Sequence, residues 1–247
     1  MKKELIFKNS KVKFHNSWAN FLTSKNIECI AGIEKKLGNN FTPDKLKVFR
    51  FLESDLSKTK VIILGQDPYP QRGVATGRAF EVGGIQSWSQ LKKNTSLQNI
   101  LKIIYKNHCN ETEIPKIDKV RKGIQTKDFS IKPPHELFEN WEKQGVILLN
   151  TALTCEINKP NSHANYWACF VQKVIDYIAH KAPGAEWFLW GNNAKRFGLN
   201  IDEAKKHKSS HPRLNSKKEG SFFNENHFSL DLEVDWLGCN KNGITKK

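Results

Sequence analysis

Lys60-Val-Ile-Ile-Leu-Gly65 is the first of three apolar runs that decide the fold; the others are Gly145-Val-Ile-Leu-Leu-Asn150 and Ala185-Glu-Trp-Phe-Leu-Trp-Gly191. Each is short and bounded by glycine or polar residues, as strands buried on both faces should be. Between them the apolar residues take helical spacing. Leu97, Ile100, Leu101 and Ile104 follow a candidate cap at Ser96, and Phe170, Val171, Val174, Ile175 and Ile178 repeat the pattern. Residues 136–143 and 201–206 also read as helical. Strands alternating with helices predict an α/β fold with a parallel sheet.

No fixed-period repeat, low-complexity tract or Gly/Ser linker interrupts the chain, so residues 1–247 read as one domain. Residues 107–134 are lysine-rich, hold three prolines and read as a long surface excursion. Phe222, Phe223 and Phe228 read as an anchoring cluster, and the basic end 241–247 as frayed.

The 247 residues are 38% hydrophobic, enough to bury a real core. Forty Lys and Arg against 25 Asp and Glu give a net charge of +15, which points to a polyanionic partner, nucleic acid first. The longest uncharged stretch around the most apolar segment, 144–155, has 12 residues, too few to cross roughly 30 Å of hydrocarbon. Met1-Lys2-Lys3 is followed only by Leu5-Ile6-Phe7 before charge returns, so no secretory signal is read. A cytoplasmic protein with no membrane partner is expected, or a nuclear one if the source is eukaryotic or viral. Cys29, Cys109, Cys155, Cys169 and Cys239 contain no CxxC pair and are expected to be free thiols.

In open α/β sheets ligands bind beyond the carboxyl ends of the strands. The first run leads into Gln66-Asp67-Pro68-Tyr69-Pro70, the second ends at Asn150-Thr151 and the third at Trp190-Gly191-Asn192-Asn193. A fourth polar cluster, Ser209-Ser210-His211-Pro212-Arg213, has no visible strand before it. An Asp, an Asn and a His delivered to one edge could stabilise developing positive charge, read a planar ligand and stabilise developing negative charge. The same residues could equally be a turn residue, a strand-end cap and a surface imidazole. Gly73-Val-Ala-Thr-Gly77 is neither GxGxxG nor a phosphate-binding loop, and GxSxG and HExxH are missing, which sets aside nucleotide-cofactor enzymes and zinc hydrolases.

Ile63-Leu-Gly-Gln-Asp-Pro-Tyr69, Gly77-Arg-Ala-Phe-Glu-Val82, Gly145-Val-Ile-Leu-Leu-Asn-Thr151, Leu153-Thr154, Ser162-His163, Trp190-Gly191 and His211-Pro212 resemble, in order, the motifs of the family 1 uracil-DNA glycosylases. The resemblance implies a four-stranded parallel sheet with helices on both faces, no metal or cofactor, and hydrolysis of the uracil N-glycosidic bond in DNA. It implies catalytic roles for Asp67, orienting water and stabilising the sugar cation, and for His211, bonding the uracil oxygen that becomes anionic. Phe80 would stack on the flipped base, Asn150 pair with its edge, Tyr69 exclude a thymine methyl, and the main chain around Gln66 bond the base. Uracil-containing DNA, single- or double-stranded, is the implied partner, a DNA-mimic inhibitor protein a further candidate, and a monomer is expected.

The chain departs from the family pattern in its DNA-contacting loops. Pro70 stands where His is usual, and the proline-rich loop before Ser96 reads Lys92-Lys93-Asn94-Thr95. The usual HPSPLS reads His211-Pro-Arg-Leu-Asn-Ser216, so Asn215 holds the wedge-leucine position and Leu214 stands one residue early; Asn192 replaces a serine. Lys92, Lys93, Ser96, Asn192, Arg213, Leu214 and Asn215 are the DNA-binding candidates. Either Leu214 swings into the duplex through a one-residue shift of the loop or the enzyme lacks an apolar wedge and prefers unpaired uracil, the second being the expectation; the alternative function is a non-enzymatic or weakly active DNA-binding subunit on the same fold.

Overall fold

The computed structural model describes residues 4–239, and the basic end 241–247 lies outside the described residues. In chain order the strands are β1 (Ile6–Phe7), β2 (Ser10–Lys11), β3 (Phe41–Thr42), β4 (Val61–Gly65), β5 (Val146–Asn150), β6 (Cys155–Glu156), β7 (Glu186–Trp190) and β8 (Lys206–Ser209). The helices are α1 (Ser24–Lys36), α2 (Thr95–His108), α3 (Ile117–Thr126), α4 (Pro134–Lys143), α5 (Ala164–Lys181), α6 (Asn192–Phe197) and α7 (Phe222–Glu225). Strands β5, β4, β7 and β8 lie side by side in that order, all parallel, while β1–β2 and β3–β6 form small antiparallel pairs.

Every residue of β4 and β5 is buried, and alternate side chains enter two separate cores. Ile62, Leu64, Ile147, Leu149, Trp187 and Leu189 face α1 and α5. Val61, Ile63, Val146, Leu148, Phe188 and Trp190 face α2, α3, α4 and the aromatic cluster Phe222, Phe223 and Phe228. Helices therefore cover both faces, as the apolar runs require. No described helix is long and apolar enough to cross a membrane.

Three local readings change. Helix α2 starts at Thr95 with Asn94 at its N-cap, which puts Ser96 inside the first turn. The stretch 107–134 carries α3, whose Ile117, Val120 and Ile124 keep helical spacing among many lysines; Val120 and Phe129 are buried in the second core. Residues 201–206 are not a helix but a short 3₁₀ turn, Glu203–Lys205, running into β8.

Strand β8 is invisible as an apolar run because it is a polar edge. Lys205 Nζ and His207 Nε2 each lie 2.8 Å from a carboxylate oxygen of Glu186 on β7, and Lys206 and Lys208 both pair with Glu203. Such an edge pairs with its one neighbour and resists further strand addition. The order also places β4 between β5 and β7, where successive connections leave on opposite sides, so a crevice opens beyond the carboxyl ends.

Gly77 begins the segment that crosses this crevice. Its φ is +88°, and a Cβ there would stand 2.1 Å from the Lys47 carbonyl oxygen. Gly77→Ala therefore combines left-handed strain with overpacking against backbone, each costing about 1–3 kcal/mol. Thermal unfolding should show a midpoint at least ~4 °C lower than wild type; an unchanged midpoint would contradict the close approach.

Candidate active site

Gly65 and Asn150 end neighbouring strands as register partners. A Cβ on Gly65 would lie 2.3 Å from Asn150 Oδ1 and 2.7 Å from Ala79 Cβ, so the Asn150 amide rests directly on the β4 backbone. Asn150 is itself buried. Beyond the strands the ladder continues, with Thr151 N donating to Gly65 O at 3.0 Å and Ala152 N to Gln66 O at 2.9 Å. The Thr151 hydroxyl also lies 2.9 Å from Gln66 O and 2.7 Å from Asn193 Oδ1. The backbone that enters the Gln66-Asp67 turn is thus fixed before any ligand binds.

Asp67 projects from this turn and is partly buried. The Asn161 backbone N–H donates to its Oδ2 at 2.8 Å, and Gln66 Nε2 donates to Asn161 Oδ1 at 2.6 Å. Burial pushes the carboxyl above its ordinary value of 3.8, while the Asn161 bond opposes that rise by favouring the anion. Asn161 has a φ of +61° in a loop braced by Ser162 Oγ, which accepts from Glu156 N at 2.7 Å. Trp167 Nε1 donates to Thr154 Oγ1 at 2.7 Å, and that hydroxyl is hydrogen-bonded to His163 Nδ1 at 2.9 Å. Ser162-His163 thus holds the loop, and Asn161 touches the carboxylate.

Phe80 has a φ of +65°, a conformation an aromatic residue adopts only under constraint, at a cost of order 1–3 kcal/mol. Its neighbours supply the constraint. Ala79 N donates to Leu148 O at 3.2 Å, the Tyr69 hydroxyl lies 3.4 Å from Phe80 O, and buried Arg78 pairs with Glu81 at 3.1 Å and with Glu142. The Phe80 ring meets Trp190 at 5.4 Å and His211 at 6.0 Å between centroids. Trp190 is fixed in turn by donating from Nε1 to His227 Nδ1 at 2.9 Å, and burial, then nearby His207, depresses His227 to about 4. Burial pushes the Tyr69 phenol up to about 12 against a weaker opposing bond to Asn94, so it stays neutral.

His211 follows β8. The backbone N–H of Arg213 donates to its Nδ1 at 3.1 Å, so the neutral ring carries its hydrogen on Nε2. Burial, and secondarily the Arg213 charge, hold its pKa below 6.5. Gly191, with a φ of +88°, lets the β7 end pass close by; a Cβ there would lie 3.1 Å from His211 Cβ. Arg213 and Leu214 are exposed, Leu214 to 50%. Asn215 is exposed as well, and its Oδ1 accepts from Asn99 Nδ2 at 2.9 Å.

One cavity of about 500 Å³ is lined by Gln66, Asp67, Tyr69, Phe80, Asn150 and His211, with Pro70, Ser96, Asn192 and Arg213 at its margin. Lys92, Lys93, Leu214 and Asn215 do not line it; the two lysines are exposed on the loop before α2. Asn161, Arg78 and Asn99 were not singled out from sequence. Asn161 precedes the quoted Ser162-His163, and Asn99 is a lone amide on an apolar helix face; those were the available signals.

The family model described as the Uracil DNA glycosylase superfamily matches residues 53–233. Curated relatives named uracil-DNA glycosylase include one from Salmonella arizonae, 36% identical over 215 residues, spanning 85% of this chain and 82% of the relative. Among solved structures, a wild-type UNG from Nitratifractor salsuginis aligns with a TM-score of 0.65 at 22% identity, over 81% of this chain and 85% of that one. A mimivirus uracil-DNA glycosylase aligns with a TM-score of 0.60 at 25% identity, over 84% and 79%. A variant of mimivirus UNG in complex with UGI aligns with a TM-score of 0.59 at 25% identity, over 81% and 70%.

The site geometry sets the titration of His211. In ring-resonance NMR spectra it should titrate below 6.5, and Arg213→Ala should raise that value part of the way, because the residue's charge is lost while burial and the backbone N–H remain. A wild-type value at or above 6.5 would contradict a buried, neutral imidazole.

Proposed function

The chain belongs to the uracil DNA glycosylase superfamily and is a glycosylase that excises uracil from DNA, and we propose that Asp67 and His211 carry the chemistry on a base selected by Asn150, Tyr69, Phe80 and the main chain at Gln66. The observation that carries this assignment is the convergence of a buried amide, a neutral imidazole and a partly buried carboxylate on one cavity.

Water adds to the sugar C1′ as the N-glycosidic bond breaks, and the bonding pair leaves on the uracil ring. His211 Nε2–H donates to the uracil oxygen that gains negative charge, so a neutral ring suffices and no proton must first be acquired. Asp67 faces the sugar, where its charge stabilises the developing cation and its free oxygen orients the attacking water. Burial strengthens both interactions by excluding solvent. Phe80, already held against Trp190 and His211, offers a ring to the flipped base without rearranging.

Selectivity follows from fixed polar groups. The Asn150 amide presents a donor and an acceptor to the uracil edge, and Tyr69 occupies the space a thymine methyl needs. Lys92, Lys93 and Arg213 meet phosphates, while Ser96 and Asn192 contact the strand at the rim. Leu214, rather than an apolar group at 215, is exposed for insertion into the duplex. Of the two readings of this loop, insertion of Leu214 is favoured over a wedge-free enzyme by the tie of Asn215 Oδ1 to Asn99 and by the exposed apolar side chain beside it. The same rim would receive an inhibitor protein that mimics DNA; a relative in complex with UGI supports a protein partner.

Asp67→Asn and His211→Leu should each slow single-turnover uracil release from a single-stranded oligonucleotide roughly 100- to 1000-fold, with DNA binding largely kept. Because both act in one transition state, the double variant should lose much less than the product of the two. Near-wild-type release by Asp67→Asn would overturn the assignment, and DNA binding by the wild type without release would establish the subunit alternative.

A further inference from the structure

Helix α2 presents an almost wholly apolar face, with Leu97, Ile100, Leu101, Ile103 and Ile104 buried, yet Asn99 lies among them at 0% exposure. A buried amide is destabilising unless its hydrogen bonds are made. Asn99 makes three. Its Nδ2 donates to Pro212 O at 2.7 Å and to Asn215 Oδ1 at 2.9 Å, and its Oδ1 accepts from Lys102 Nζ at 3.1 Å. The orientation is fixed twice over, because a carbonyl oxygen can only accept and an ammonium can only donate.

Those partners divide by task. Pro212 follows His211 directly, so its carbonyl sets how the chain leaves the imidazole. Asn215 follows Leu214; it is exposed, but its Oδ1 is tied to α2, and Leu214 is the exposed apolar side chain beside it. Two shorter bonds complete the loop: Arg213 N to His211 Nδ1 at 3.1 Å and Leu214 N to His211 O at 2.9 Å. The loop therefore closes on itself at one end and is tied to α2 by a single side chain at two points.

We propose that Asn99 is a positioning residue that locks the catalytic and duplex-inserting ends of the 211–215 loop into one rigid unit. The proposal rests on the glycosylase reading. Base flipping requires a wedge held in place, and charge stabilisation requires an imidazole that does not reorganise; the amide of Asn99 serves both. It also accounts for the polar residue at 215, whose acceptor oxygen gives the Asn99 amide its second partner.

The test measures single-turnover uracil release from a U·A duplex and from the matching single strand, using the full chain, and reads the duplex-to-single-strand ratio. Asn215→Ala should lower that ratio roughly three- to tenfold, the worth of one hydrogen bond. Asn215→Asp keeps the acceptor and should hold the ratio within about twofold of wild type. Asn99→Asp keeps the size and the Lys102 contact but removes both donors. It should lower the ratio at least as far and slow single-strand release too, through Pro212 and His211. Adding Asn215→Ala to Asn99→Leu should change the ratio no further, since a leucine at 99 can neither donate to nor accept from the residue at 215.

A merely structural role would slow both substrates equally and leave the ratio unmoved. A wild-type ratio in Asn215→Ala, or an equal fall in Asn215→Asp, would overturn the proposal, and the Asn215 pair decides it even if Asn99→Asp does not fold. Failure of the wild type on both substrates would overturn the glycosylase reading itself.

Discussion

The Asn150 amide lies against bare backbone at Gly65, closer than any side chain at that position would allow. This contact requires two parallel strands in register, each ending at the same level, with a glycine at the end of one and an amide at the end of the other. It is why β4 and β5 must be buried on both faces and covered by helices, and why the Gln66-Asp67 turn begins at the wall of the cavity. A shift of one residue in the register would turn Asn150 to the opposite face. The amide proposed to read the base would then leave the cavity without any change in composition.

Around that contact the site is assembled from polar groups that hold one another still. Asp67 is oriented by the Asn161 backbone, His211 by the Arg213 backbone, and Phe80 is kept in a left-handed conformation by a buried arginine and two glutamates. Each holding group lies on a different loop, so the sheet edge gathers what no single segment could arrange. The chemistry asked of the residues is charge stabilisation, which depends on groups that are already in place when charge appears. Strain at Phe80 and the buried ion pairs fit that requirement, because both trade stability for fixed geometry.

The strands, the sheet class and the placement of Asp67 and Asn150 were legible from local pattern, continuous apolar runs with polar residues immediately after them, whereas His211 stood in a polar cluster with no visible strand before it and Phe80 was reached only through the resemblance to a family. Strand β8 was not legible, since Lys-His-Lys-Ser at a sheet edge is stabilised by Glu186 on its neighbour rather than by burial. Helix α3 was obscured by the lysines on its solvent face. Asn161 and Asn99 act across 94 and 113 residues of chain on Asp67 and Pro212, and no local spacing reports such contacts. For the same reason the tie between Asn215 and α2, which bears on whether Leu214 enters the duplex, has no local signal in the sequence.

The proposed roles have Asn150, fixed beside Gly65, and His211, fixed beside Gly191, reading uracil together. Titration of the free base into the isotopically labelled protein tests this directly, with the Asn150 side-chain amide and the His211 ring as reporters. Saturable shifts in both resonances with uracil, and little response to thymine or cytosine at equal concentration, are the predicted result. Uracil that binds without moving either resonance, or thymine that moves both equally, would contradict the account.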